Sequence, residues 1–293
     1  MRIGFAHQYD VYRSDISRAQ GQLFDSQRRV TTGKKILSLG DDPVGAASAI
    51  GLRRLRAASE QYGNNLLSAK GFLGMTESTL AEMTTLINRA NELAVAGANG
   101  TLEQSAREGI VREITEIQKR LVDLGNTEGP GQRKLFAGQR TDTVPFVVDD
   151  GTLSYAGDAN DLTVEISATE TMTISTQLGT ALPGIYSDLN RLKEHLQGGA
   201  TGSISGESIP AMQQATRQIT LLRATVGTRM QAVEQGVSHH TRRMDELSSQ
   251  LSDVEDVDMS EAILDYKMAE TAYQAALQSV SMISRISLMD FMR

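Results

Sequence analysis

The feature that most limits what this chain can fold into is a heptad seam at each of its two extreme ends, where chains usually fray. Near the start, Phe5, Tyr9, Tyr12, Ile16, Ala19, Leu23, Ser26 and Val30 follow one another in alternating steps of four and three. Near the finish, Ala262, Tyr266, Ala269, Tyr273, Ala276, Val280 and Ile283 do the same, flanked by Ile263, Leu277 and Ile286. That period lines up one row of side chains on a helix for packing against a second helix. At about 1.5 Å per residue each helix is roughly 50 Å long, and each row needs a partner. The two helices are expected to pair with each other. The first should stop near Gly33, after Thr31-Thr32, and the second should start at Asp256-Val257-Asp258, where Asp258 and Glu261 have the spacing of a capping box. Ala19 and Ser26 thin the first seam, and its few sizeable apolar side chains do not offset the cost of ordering a whole helix. Both ends are therefore expected to be largely disordered in a lone subunit and to fold on packing against others.

Between the ends the texture is helical, then strand-like, then helical again. Asp42-Pro43 reads as an N-cap with proline at the first helical position, opening an Ala-rich helix that runs past Leu55. A second helix is predicted from Leu66 to Ala96, with Leu73, Leu80, Met83, Ile87, Ala90 and Ala94 on its face. A third carries Ile110, Ile114, Ile117, Leu121 and Leu124 and stops at Gly125-Asn126. From about Lys134 the sequence turns to short Thr and Val alternations. Asp149-Asp150-Gly151 sits between Val144–Val148 and Thr152–Tyr155 as a hairpin turn, and two more strands follow at Leu162–Ile166 and Met172–Ile174. Pro183-Gly184 closes this β-rich insertion. A short helix with Ile185, Leu189, Leu192 and Leu196 ends in a loop, Gly198–Ser203, and the longest helix then runs from Ser208 to about Leu251. The expected fold class is mainly α, an elongated helical bundle with terminal coiled-coil helices and a small β-rich inserted domain. The expected divisions are 1–38 with 259–293, 39–133 with 184–258, and 134–183.

Nothing in the sequence assembles a catalytic, cofactor or metal site. The 293 residues carry a formal charge of −7 with both signs interspersed, which works against nucleic acid, and there is no cysteine. The opening Met1-Arg2-Ile3-Gly4-Phe5-Ala6 is too short for a signal peptide, and no apolar run approaches the ~18 residues of a membrane span. His7, His195, His239 and His240 lack metal-ligand spacing and read as polar helix positions. Gly33-Lys34-Lys35 fails as a phosphate loop because Arg28 stands where its first glycine should be. The acidic run Asp253–Asp258 lacks the glycine and distant glutamate of a calcium loop, so capping is its better reading. Asp41-Asp42 has no accompanying base or nucleophile. Tyr9, Tyr12, Tyr266 and Tyr273 are packing residues on a stripe. An enzyme would need a pocket around Asp149, Asp150, Asp158 and Asp161 in the insertion.

Ordered motifs then bring in a resemblance. They are Met1-Arg2-Ile3; Thr32-Gly33-Lys34-Lys35-Ile36-Leu37-Ser38 with Asp41-Asp42-Pro43-Val44; Leu135-Phe136-Ala137-Gly138 leading to Pro145-Phe146; and Tyr155-Ala156-Gly157-Asp158. The closing stretch adds Leu251–Asp258, Tyr273-Gln274-Ala275-Ala276-Leu277 and Ile286-Ser287-Leu288-Met289-Asp290-Phe291. Together they resemble the flagellin-like axial proteins of the bacterial flagellum, most closely the hook-associated protein 3 family at the hook-filament junction. Flagellins typically continue the Asp-Asp motif as Asp-Asp-Ala-Ala-Gly, whereas this chain has Asp41-Asp42-Pro43-Val44-Gly45.

The resemblance implies a non-enzymatic structural protein, secreted through the flagellar export channel without a cleaved signal peptide and built into the flagellum as a ring of copies. It implies a neighbouring hook-associated protein and flagellin as partners, an export chaperone on the C-terminal helix, no cofactor, no nucleic acid and no membrane insertion. The expected assembly interface is Phe5, Tyr9, Tyr12, Ile16, Leu23, Val30, Tyr266, Tyr273, Val280, Ile283, Leu288 and Phe291, with Gly33, Asp42, Pro43, Asp258 and Glu261 as caps and joints. A filament-forming flagellin, or an unrelated coiled-coil adaptor, is the alternative.

Overall fold

In the computed structural model the backbone is described for residues 2–140 and 142–291, and side chains for residues 10–140 and 142–282. The helices are α1 (Arg2–Thr32), α2 (Pro43–Gly97), α3 (Gln104–Gly125), α4 (Ala181–Gln197), the single turn α5 (Thr201–Ser203), α6 (Ile209–Glu255) and α7 (Met259–Phe291). Four short strands lie between α3 and α4: β1 (Phe146–Asp149), β2 (Thr152–Tyr155), β3 (Thr163–Glu165) and β4 (Thr171–Thr173). The fold is mainly α with a small two-sheet β region. The chain packs as two compact units. One contains the residues up to Ala58 together with those from Met244 on, and the other runs from Ser59 to Arg243.

Two local expectations change. The helices predicted from Val44 past Leu55 and from Leu66 to Ala96 are one helix, α2. Gly63 and Asn64-Asn65 carry turn-forming propensity, but tertiary partners override it. The Asn65 amide reaches across to donate to the Glu165 carbonyl at 2.9 Å instead of turning its own backbone. The predicted loop Gly198–Ser203 is a tighter link, because α5 and a wide helical turn at Ile204–Ser208 lead straight into α6. Burial of Ile204 draws that segment into helical form.

The core of the second unit is one continuous cluster. Leu73, Leu80 and Ile87 of α2, Ile114 and Leu121 of α3, Leu182, Leu189 and Leu196 of α4, and Met212, Ile219 and Val226 of α6 are all fully buried. Within each helix these recur every seven residues, two turns apart on one face, so the apolar faces meet along their length. The buried Gln118 of α3 is satisfied by donating to Asn190 Oδ1 at 2.9 Å and to the Tyr186 carbonyl at 3.2 Å.

The β region is fastened to this core by the motifs singled out above. β1 and β2 pair antiparallel with Asp149 opposite Thr152, which leaves Asp150-Gly151 as a two-residue loop. Both loop residues have positive φ, +45° and +75°, the backbone of a type I′ turn. β3 and β4 form a separate antiparallel pair. Asn126 acts as a strand residue: its side chain donates to the Phe146 carbonyl and accepts from the Phe146 N–H, both at 2.9 Å. The Tyr155 hydroxyl lies 3.0 Å from the Phe136 carbonyl and 2.9 Å from that of Asp158. Asp158 in turn accepts from the Gln139 N–H at 2.8 Å. Gly138 adopts φ +68°, and a Cβ there would collide with Asp158, so Leu135-Phe136-Ala137-Gly138 and Tyr155-Ala156-Gly157-Asp158 are two halves of one packed corner.

Gly125 ends α3 for a reason other than left-handed backbone. A Cβ there would lie 2.7 Å from Leu182 and 2.8 Å from Phe146, so the glycine lets α4 and β1 close over the helix end. Gly125→Ala is expected to destabilise the second unit by about 1 to 3 kcal/mol, as overpacking does, measured as a lower urea midpoint with an unchanged slope.

Candidate assembly site

α1 and α7 pack against each other antiparallel. Where they leave the helix pair, the Val257 N–H donates to the Gly33 carbonyl at 3.0 Å. Further along, Gln22 and Arg29 of α1 line a shared cleft with Ala272 and Asp265 of α7, in opposite chain order. The heptad rows supply this contact. Tyr12, Ile16, Ala19, Leu23, Ser26 and Val30 are half-buried or buried between exposed neighbours, as are Ala262, Tyr266, Ala269, Tyr273, Ala276 and Val280. Each row is thus largely engaged inside the subunit. The side chains of Phe5, Tyr9, Ile283, Leu288 and Phe291 lie outside the described residues.

A second row is left unused. Leu264, Met268, Thr271, Ala275, Gln278 and Met282 also follow steps of four and three, and their side chains are largely exposed, with Met268 also bordering the cleft shared with Gln22, Ser26 and Arg29. Leu264 is 60% exposed, Met268 55% and Met282 61%. Leu264, Lys267, Met268, Thr271, Ala272 and Ala275 line an open groove of about 470 Å³. On α1, Phe24 is 64% exposed. The polar members Thr271 and Gln278 make this row less conspicuous in the sequence than the row with tyrosines.

The joint below the helix pair is built from backbone pairing and one buried carboxylate. Gly33 takes φ +69°, which turns the chain out of α1. Lys34 and Asp256 then pair as an antiparallel bridge, with the Lys35 N–H donating to the Glu255 carbonyl at 2.7 Å. The Glu255 side chain is buried and lies 3.2 Å from Lys34 Nζ and 2.7 Å from the Arg53 guanidinium, while Lys34 Nζ also meets Asp256 Oδ1 at 2.6 Å. Burying a carboxylate is tolerated only with such partners. The caps fall where the residue types demand. Asp42 accepts from the N–H groups of Val44 and Gly45 at 3.1 and 2.9 Å, with Pro43 at the first helical position. Asp41 accepts from Leu37 and Ser38 at 2.9 and 2.8 Å. Asp258 accepts from Ser260 at 2.7 Å and more weakly from Glu261 at 3.5 Å. Among the described hydrogen bonds none returns from the Glu261 carboxylate, so the capping box is present in its Asp258 half.

The helical ends and the joint between them match known proteins. The N-terminal helical region of bacterial flagellin matches residues 8–141, and its C-terminal helical region matches residues 209–292. The chain belongs to the flagellin-like family. Flagellar hook-associated protein 3 of Escherichia coli (strain K12) is 26% identical to it, covering 98% of both chains. The protein of the same name from Salmonella typhimurium is also 26% identical, over the full length of both. The crystal structure of the flagellar junction protein FlgL from Legionella pneumophila shares the fold, with a TM-score of 0.60 and 15% identity over 71% of this chain and 99% of that one.

Within this flagellin-like chain the other candidate residues have structural duties. Asp158 holds a loop, and Asp161 accepts from Ser175 Oγ at 3.1 Å, whereas Asp149 and Asp150 sit at the tip of the β1–β2 hairpin. They are not gathered into one site. His195 Nδ1 lies 3.0 Å from Ser208 Oγ, a tie between α4 and the start of α6.

The joint also sets a pH window. The Lys34 ammonium and the Ser252 hydroxyl hold Asp256 below the usual carboxylate range, the Ser260 and Glu261 N–H groups do the same for Asp258, and the Leu37 and Ser38 N–H groups for Asp41. Lys34 is shifted up, chiefly by Asp256. A carboxylate with a lowered folded pKa contributes stability that is complete above its unfolded pKa and is lost as pH falls through the folded one. A lysine with a raised pKa contributes below its unfolded pKa and loses that contribution as pH rises through the folded one. The joint should therefore hold from about pH 4 to about pH 10. Amide NMR signals of residues 253–262 are expected to shift and broaden below about pH 4, and Asp256→Asn should weaken the joint at neutral pH and flatten that acid dependence.

Proposed function

We propose that this chain is a structural subunit that joins hook to filament, without enzymatic activity, and that it assembles through its paired terminal helices. The observation that carries this reading is similarity over essentially the full length to hook-associated protein 3 of Escherichia coli and of Salmonella typhimurium. The helix pair supports the manner of assembly: one heptad row is engaged within the subunit, and the row through Leu264 and Met268 remains for a neighbouring copy.

In this reading the chain leaves the cell through the flagellar export channel without a cleaved signal peptide, an export chaperone holding the C-terminal helix beforehand. Copies then form a ring whose terminal helices line the inside, with a hook-associated neighbour on one side and flagellin on the other. The ends order on packing, because a helix pair with one side uncovered buries too little apolar surface to offset its conformational entropy. Locking and folding are then a single event.

Seeded growth watched by electron microscopy tests both the family branch and the interface. A junction subunit adds a limited layer to a hook seed and stops, whereas a flagellin extends the seed into a long filament. Leu264→Glu with Met268→Glu is expected to abolish addition to the seed, because several charges buried in an apolar seam cost more than the contact returns, while the second unit keeps its urea midpoint. Normal addition by this double variant would remove the outward row from the interface.

A further inference from the structure

Three segments distant in sequence meet at His240 in the second unit. His240 Nε2 lies 2.9 Å from the carbonyl oxygen of Ile166, just past β3, and Nδ1 lies 3.0 Å from Ser59 Oγ on α2. A carbonyl oxygen only accepts, so Nε2 carries the proton, and in the neutral ring Nδ1 is then the acceptor for the Ser59 hydroxyl. One ring on α6 is thereby tied to α2 on one side and to the β3–β4 hairpin on the other.

The hairpin has few other polar ties. Among the described residues two more side chains on the helices bond to it, Asn65 donating to the Glu165 carbonyl at 2.9 Å and Arg229 donating to the Ser175 carbonyl. Its strands are three residues each, too short to be stable as an isolated pair. It is also not sealed onto α6. An open cleft of about 400 Å³ lies between them, lined by Thr171 to Thr173 on the hairpin and by Thr228, Arg229 and Ala232 on the helix. Half-buried Val164 and Met172 hold the hairpin against the core, and apolar contact of that kind sets no fine register.

We propose that His240 is a register latch, seating the β3–β4 hairpin only while α2 and α6 keep one axial alignment. A helix advances about 1.5 Å per residue, so a slip of a single residue between α2 and α6 stretches the 3.0 Å contact of Ser59 with His240 past the usual hydrogen-bond length and weakens it. The ring is then less firmly oriented and the Ile166 carbonyl keeps a weaker donor. The hairpin becomes the low-stability element of the unit, and a sliding motion of buried helices is read out as release of a surface element.

Hydrogen exchange on the full chain tests this with three variants. His240→Ala should speed amide exchange across residues 163–173 by roughly tenfold, the loss of about one hydrogen bond, with α3 and α4 unchanged. Ser59→Ala should speed the same amides by a smaller factor although Ser59 does not touch the hairpin. His240→Gln, whose side-chain amide can still donate to Ile166, should exchange closer to the parent than to His240→Ala. Unchanged hairpin exchange in His240→Ala, equal acceleration throughout the unit, or a Ser59→Ala variant with no effect on the hairpin would overturn the latch.

Discussion

The first helix of this chain can bury its apolar row only against the last. That single requirement organises the rest, because residues separated by almost the whole sequence must return to one another. The joint at Gly33–Lys35 and Glu255–Val257 is where the return is made, and its chemistry fits the task. Backbone pairing fixes the two strands of chain, and a buried glutamate held by Lys34 and Arg53 fixes their alignment. A two-helix layer has two sides, however, and packing satisfies one. The row through Leu264, Met268 and Met282 is the physical remainder of that arithmetic, an apolar stripe left exposed on the paired ends.

The second unit solves a different problem. Its helices bury a continuous core, and that core carries a β-rich insertion whose strands are too short to stand alone. The insertion is held by polar side chains that copy backbone geometry. Asn126 completes a strand pairing with Phe146, and Tyr155 closes a corner on the carbonyls of Phe136 and Asp158. Residues that looked like signature motifs are therefore fold determinants, and the aspartates that could have suggested chemistry serve as caps and loop ties.

Much of this was legible in the sequence because the signals were local. The four-three steps gave both end helices and the α3 and α4 faces, Asp42-Pro43 and Asp258 gave the caps, and Asp150-Gly151 gave the hairpin turn. What was not legible depended on partners far along the chain. The two helices expected on either side of Gly63 and Asn64-Asn65 are one, and the bond from Asn65 to the distant Glu165 carbonyl is part of what holds that stretch in place. The turn at Ile204–Ser208 is helical because Ile204 finds the core. Gly125 was legible as part of a helix stop, but not that it is small because Leu182 and Phe146 lie against it. The two end helices were expected to pair with each other, and they do, with the tyrosine row between them and the plainer row left exposed.

The central claim is that one row closes the subunit and the other joins it to the next. Because the chain has no cysteine, engineered thiols report on this without background. Ser26 and Ala269 line the same cleft between α1 and α7, so Ser26→Cys with Ala269→Cys should form a disulfide within one subunit, whereas Met268→Cys alone should form one only between subunits, and only in the assembled state. Disulfides between subunits from the seam pair, or no crosslink at position 268 in assembled material, would contradict the account.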